Sequence, residues 1–350
     1  MAIGTPVLSF SAIIDTGSDL IWTQCKPCTD CYQQPTPMYD PSLSSTYSTL
    51  PCTNSICQPP PIFSCGNNGV CNYNYTYGDH SFTQGILSYE SFTFSSQSLP
   101  HIAFGCGHHN NGVGLQQGGL VGFGRGPLSL PSQLGPSLGN KFSYCLVSFT
   151  DSPSKTSPLL LGDTASLNGQ AVSSTPLIQS TTGNPTFYYL SLEGISVCGQ
   201  LLNIPAGTFD IQSDGSGGFI IDSGSSYTAL PPAAYDPVKQ ALNSSINLPQ
   251  ADGSSVGLDL CFNQQGSSNP SFPTMTFHFK GADYSLPTVN YLSSVSSDII
   301  CLAMLPTGGD AVTLISQYLV MFNSKITKYF TTTKRTCSPL RLQLVTPSTN

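Results

Sequence analysis

Two short stretches of the chain set a single carboxylate at the end of an apolar run and follow it with a small, turn-prone triplet. They are SAIIDTGSDLIWT, carrying Asp15, and FIIDSGSSYTAL, carrying Asp222. In each, the apolar triplet, Ala12-Ile13-Ile14 or Phe219-Ile220-Ile221, reads as a buried strand end, and Gly17 or Gly224 permits a sharp turn close to another backbone. Ser18 and Ser225, three residues on, can donate to their own Asp, as can backbone N–H groups of the turn. Such donors orient a buried carboxylate and keep it partly ionised. One copy of D-[ST]-G-S is compatible with a turn or a helix cap. Two copies, each after an apolar triplet and far apart in the chain, ask for a joint purpose. If two lobes meet face to face, Asp15 and Asp222 approach each other and share a proton, because two close carboxylates do not both ionise cheaply. One then acts as base and the other as acid: water is activated at an amide carbonyl and the departing nitrogen is protonated.

The elements that must position these acids follow from the rest of the chain. At 350 residues there is room for two lobes, each with its own core. Gly 33, Pro 28 and short apolar runs describe many short strands joined by tight turns, so the expected class is all-β. Strand, Asp-turn, strand fills residues 1–24, and a cysteine-studded, Pro/Ser/Asn-rich insertion spans 25–72. The segment DSPSKTSP at 151–158 is the best linker, giving an expected N-terminal lobe of 1–156 and a C-terminal lobe of 157–350. Helix signals are sparse: PLSLPSQLG at 127–135, and PPAAYDPVKQALNSS at 231–245, with Pro231 and Pro232 in a first turn.

Composition removes several classes of partner. Charged residues make up 8% of the chain, with 18 acidic against 11 basic, so there is no electrostatic footprint for nucleic acid or an anionic membrane. A surface with few ionisable groups also changes its charge little on acidification, which suits work at low pH. Residues 325–350, with five basic residues and no acid, stand apart from the rest. Thirteen cysteines, and sequons at Asn74 and Asn243, point to an oxidised compartment outside the cytoplasm, extracellular or vacuolar, and to glycosylation. MAIGTPVLSF has no signal-peptide pattern, and no run approaches the about 20 apolar residues of a membrane span. The internal repeat supplies its own second lobe, so a monomer is expected.

At the two Asp loops the sequence resembles the pepsin-like aspartic proteases, and more closely their nepenthesin-type plant branch. The resemblance implies a bilobal, pepsin-like double-β-barrel acid protease fold with a cleft between lobes, a polypeptide substrate bound in an extended conformation, and no metal or organic cofactor. It implies that Asp15 and Asp222 are the catalytic pair, that Ser18 and Ser225 are their hydroxyl supports, and that Thr16 and Ser223 link the two loops. NYTYGDHSFTQG looks like the family's β-hairpin flap, with Tyr77 as the flap tyrosine, Gly78 and Asp79 at its tip and Trp22 as the tryptophan that bonds to Tyr77. Without the family, either aromatic reads as core packing. GLVGFGRGPLSLPSQL matches the strand and glycines that brace the first Asp loop.

CKPCTDC, followed by Cys52, Cys57, Cys65 and Cys71, resembles the cysteine-rich insertion of the nepenthesin type; a zinc site competes, but its ligand spacing lacks a second pair. Within that resemblance the eight cysteines of residues 25–106 are expected to pair among themselves, Cys261 with Cys301 and Cys145 with Cys337. That leaves Cys198, where the family usually has glycine, as the free thiol. His108-His109 reads as a loop pair without ligand partners.

Four features depart from the family pattern. Asp222 is followed by Ser-Gly-Ser, in which the hydroxyl survives. His80 replaces a flap glycine. MAIGTP begins inside the first strand, with no prosegment. Leu314-Ile315 is followed by Ser316 in place of glycine, which predicts lost strand and loop support beneath Asp222. That last departure leaves a second reading, a catalytically impaired pepsin-fold binding protein such as a glycoside hydrolase inhibitor.

Overall fold

The computed structural model describes residues 1–57, 62–95, 97–112, 117–135, 141–144, 158–165, 173–266, 270–308, 313–315 and 344–345. The chain divides into two compact units, Met1–Leu134 and Gly135–Asn350. The expected lobe boundary at 156/157, and most of the linker that marks it, lie outside the described residues.

In the first unit six strands matter for the site: β1 (Ala12–Asp15), β2 (Trp22–Gln24), β3 (Cys71–Thr76), β4 (Phe82–Phe94), β5 (Gln97–Asn111) and β6 (Gly119–Gly122). A short helix, α1 (Leu130–Leu134), follows within the stretch expected to be helical. β6 runs parallel to β1, Gly122 opposite Asp15, and antiparallel to β2, which is parallel to β5. β3 and β4 form a hairpin. The core gathers Leu20, Trp22, Leu50, Tyr73, Leu87, Ala103, Leu120 and Leu128. Ala12, Ile13 and Ile14 are only half-buried, less than their apolar run implies, because β1 is the last strand on its sheet.

The second unit repeats this wiring. Its elements are β7 (Leu192–Val197), β8 (Gln200–Leu201), β9 (Phe219–Ile221), β10 (Thr228–Leu230), α2 (Pro232–Ser245), β11 (Met275–Phe279), β12 (Ala282–Leu286), β13 (Met304–Pro306) and β14 (Thr313–Ile315). β14 runs parallel to β9 and antiparallel to β10, which is parallel to β13. The order 9-14-10-13 thus copies 1-6-2-5. Unlike β1, β9 has strands on both sides, and Phe219, Ile220 and Ile221 are all buried. The Phe219 ring meets Phe209, Phe277 and Phe279 at centroid distances of 5.9, 6.4 and 5.6 Å. α2 begins at Pro232, where a missing N–H loses no helical bond, and buries Ala234, Tyr235, Val238 and Leu242.

The expected loss of strand support beneath Asp222 is corrected here. Thr313, Leu314 and Ile315 pair with Phe219, Ile220 and Ile221 along the whole of β9. Residues 316–343, with the altered loop expected there, lie outside the described residues. His108 and His109 are also corrected: they belong to strand β5, not to a loop. No helix among the described residues is long and apolar enough to cross a membrane.

Candidate active site

Each unit delivers its acid in the same cradle. Asp15 is 5% exposed and Asp222 9%. A buried carboxylate needs donors to remain charged, and the turn supplies them. In the first unit Gly17 N–H donates to Asp15 Oδ1 at 2.8 Å, and the Ser18 hydroxyl donates to Oδ2. In the second, Gly224 N–H donates to Asp222 Oδ1 at 2.8 Å, and the Ser225 hydroxyl donates to Oδ2 at 2.5 Å. The change to Ser-Gly-Ser therefore leaves the cradle intact. Thr16 and Ser223, one residue after each acid, are buried.

The first cradle is braced by the glycine-rich segment after β6. Phe123 N–H donates to the Asp15 carbonyl at 2.6 Å, Gly124 N–H to the Ser18 carbonyl at 2.8 Å, and Gly126 N–H to Asp19 Oδ1 at 2.8 Å. The glycines are required by contact distance. A Cβ on Gly119 would lie 2.0 Å from the Trp22 carbonyl oxygen, and one on Gly122 2.1 Å from the Asp19 backbone. Asp19 was not singled out by sequence reasoning, whereas the segment GLVGFGRG, which contains Phe123 and Gly124, was expected from the family resemblance to brace the first Asp loop.

The flap residues fall on the hairpin of β3 and β4. Tyr77 N–H donates to the Ser81 carbonyl at 2.8 Å and His80 N–H to the Tyr77 carbonyl at 3.0 Å, closing a turn. Asp79 caps it, accepting Ser81 N–H at 2.9 Å and the Ser81 hydroxyl at 2.6 Å. Gly78 is exposed beside it. His80 adopts a φ of 67°, a left-handed conformation that glycine would take without strain. Trp22 Nε1–H donates to the Tyr77 hydroxyl at 2.7 Å, and the Tyr75 and Tyr77 rings lie 5.1 Å apart. Burial, reinforced by the charge of Asp15, holds the Tyr77 phenol far above the usual tyrosine range. Tyr77 is thereby a neutral hydroxyl within the field of Asp15.

Among the described residues five disulfides join Cys25 to Cys106, Cys28 to Cys31, Cys52 to Cys65, Cys57 to Cys71, and Cys261 to Cys301. Cys198 is a free, exposed thiol. Cys145 and Cys337 lie outside the described residues. Among the described residues no group of three or more His, Cys, Asp or Glu could hold a metal ion. Asn74, on β3, and Asn243, in the last turn of α2, are exposed, and each amide oxygen accepts a glutamine side chain.

A pair of like-wired β units, each presenting an Asp-Ser/Thr-Gly-Ser carboxylate cradle, and one of them a tyrosine-bearing hairpin, defines a pepsin-like acid protease class. The comparisons with known proteins agree. The family described as Xylanase inhibitor N-terminal matches residues 1–163, and that described as Xylanase inhibitor C-terminal matches residues 187–329. The aspartic proteinase nepenthesin-2 of Nepenthes gracilis is 52% identical over 306 residues, 87% of this chain and 68% of the relative. Nepenthesin-1 of the same plant is 50% identical over 307 residues, 87% of this chain and 69% of the relative. The crystal structure of the basic 7S globulin from soybean shares the fold at a TM-score of 0.69 and 17% identity, covering 91% of this chain and 86% of the other. The chain belongs to the nepenthesin-type plant branch of the pepsin-like aspartic proteinases, and its enzyme class is aspartic-type endopeptidase.

Proposed function

We propose that this protein hydrolyses peptide bonds in extended polypeptide segments under acid conditions, with Asp15 and Asp222 as the catalytic pair. The observation that carries the reading is the repetition of one carboxylate cradle, Gly N–H on Oδ1 and Ser hydroxyl on Oδ2, in both units. One carboxylate takes a proton from water as its oxygen attacks the amide carbon. The other, protonated, serves the carbonyl oxygen and then the departing nitrogen. Sharing a single proton between the two groups confines activity to acid pH. Gly17, Ser18, Gly224 and Ser225 hold the acids in orientation, Thr16 and Ser223 are assigned the catalytic support that links the two loops, and Tyr77, Gly78 and Asp79, steadied by Trp22, cover the substrate. Neither metal nor organic cofactor is needed. The protein acts in an extracellular or vacuolar compartment, a reading supported by the disulfides and by the exposure of Asn74 and Asn243 as glycan acceptors, and as a monomer, because the internal repeat supplies its own second lobe.

The test is cleavage of denatured globin from about pH 2 to about pH 7, with circular dichroism confirming the fold at each point. Cleavage rising toward acid pH supports the reading. A folded chain that leaves globin intact throughout supports the second reading, a pepsin-fold binding protein. The family description as a xylanase inhibitor favours that alternative, while the two intact cradles oppose it.

A further inference from the structure

One of the five disulfides differs in kind from the rest. Cys28–Cys31, in CTDC, joins residues 3 apart, whereas the others span 13, 14, 40 and 81. So short a ring restricts the unfolded chain least, so the fold depends on it least. Its loop is held to β5 without it: Cys25 N–H donates to the Gly107 carbonyl, Thr29 N–H to the His108 carbonyl and Asn110 N–H to the Asp30 carbonyl, each at 2.8 Å. Opening the bond therefore leaves both sulfurs in place and ready to close again.

The surroundings also favour the open state. Both cysteines are half-exposed and within reach of a reductant, as are half-exposed Cys52 and exposed Cys65, whereas each of the other three disulfides has at least one buried cysteine, so the hydrogen bonding around the sulfur distinguishes Cys28–Cys31 from Cys52–Cys65. Asn110 Nδ2–H donates to Cys31 Sγ at 3.2 Å. Asn110 is itself buried, and the Thr83 hydroxyl fixes its amide by donating to Oδ1 at 2.7 Å. A buried donor aimed at a sulfur stabilises that sulfur as a thiolate, which makes Cys31 the better leaving group.

We propose that Cys28–Cys31 is a reversible thiol–disulfide exchange site that a dithiol reductant opens selectively in the folded protein. A thiolate of the reductant attacks Cys28 Sγ and the Cys28–Cys31 bond breaks. Cys31 leaves with the bonding electron pair, accepts the Asn110 hydrogen bond and is protonated from water. The second thiol of the reductant loses its proton and displaces Cys28 from the mixed disulfide, and Cys28 is protonated. Two electrons and two protons pass to the protein, and the reductant is left as a disulfide.

The test uses the full native chain and dithiothreitol as the probe. Free thiols are first blocked with iodoacetamide. The chain is then exposed to increasing dithiothreitol at neutral pH without denaturant, and new thiols are trapped with N-ethylmaleimide and located by peptide mass mapping. Cys28 and Cys31 are expected to be trapped at a dithiothreitol concentration at least about fivefold below that needed for Cys52 and Cys65, the more open of the remaining pairs, an advantage set by the one hydrogen bond. Asn110→Ala is expected to shrink that gap by about fivefold. Trapping of Cys52 and Cys65 first, or resistance of Cys28–Cys31 until circular dichroism reports unfolding, overturns the proposal. The wild-type order decides even if the variant does not fold, and neither result depends on proteolysis.

Discussion

At the scale of single residues, the chemistry of this chain is carried by side chains whose partners are a few positions away. That is why the Asp15 and Asp222 cradles are legible in the sequence: a hydroxyl three residues after an acid and a glycine two after it are local geometry. The bond from Trp22 to Tyr77 spans 55 positions, and only resemblance to a family pointed to it. Replacing Tyr77 by Phe leaves the Trp22 N–H buried and unpaired, which is expected to cost about 1–3 kcal/mol in urea unfolding and to lower kcat/KM. Cys198, at a φ of 52° beside Gly199 at 73°, occupies a hairpin turn that glycine makes without strain. Cys198→Gly is expected to stabilise the fold by up to about 1 kcal/mol, read as a rise in Tm; a fall in Tm contradicts it. Glu90 escaped notice altogether. It is a fully buried carboxylate accepting hydroxyls from Tyr39, Ser44 and Thr46 and the N–H of Ser91, and its only sequence signal is an acid within SYESFTF.

At the scale of elements, each Asp-bearing strand is paired in parallel with a strand remote in sequence, β1 with β6 and β9 with β14. The strands were legible from apolar runs bounded by glycine, but pairing was not, since parallel partners such as β1 and β6 are remote in sequence. Disulfide connectivity within residues 25–106 was hidden for the same reason, whereas Cys261 with Cys301, expected from the family resemblance, forms through the register of the strands Cys261–Asn263 and Ile299–Leu302. Ser316, read as a sign of lost support under Asp222, proved compatible with strand β14, because three residues of pairing are fixed before it is reached. The brace under Asp15 predicts a steric limit. Gly122→Ala places a methyl 2.1 Å from the Asp19 backbone. A cost of about 1–3 kcal/mol is expected, with a larger fractional loss of activity than of stability, since the shifted loop carries the acid. Unchanged urea midpoint and activity contradict the brace.

At the scale of the whole molecule, few charges and pairwise wiring set the response to acid. Asp40 is held below the ordinary carboxylate range by the Ser42 hydroxyl, and Asp214 and Asp252 by backbone N–H groups of Ser216 and Ser254. At Asp259 partial burial pushes upward, but Lys239 and Tyr235 outweigh it and the net direction is down. A carboxylate lowered on folding stabilises the fold above its unfolded value of about 4 and loses that contribution as pH falls through the lower folded value. Tm is therefore expected to hold from neutral pH to about pH 4 and to decline below it. Asp259→Asn should lower stability by no more than about 1 kcal/mol at neutral pH, because the pair is largely exposed, with the difference vanishing near pH 2. The proposed function makes a stronger claim, that Asp15 and Asp222 act as a single catalytic device. The most direct measurement is kcat/KM on denatured globin at acid pH for the wild type, Asp15→Asn, Asp222→Asn and the double variant, each shown to be folded by circular dichroism. Each single change is expected to remove at least about a hundredfold of activity, and the double variant to be no worse than either single. A single variant that retains activity within about tenfold of wild type, or losses that multiply in the double variant, would contradict the claim.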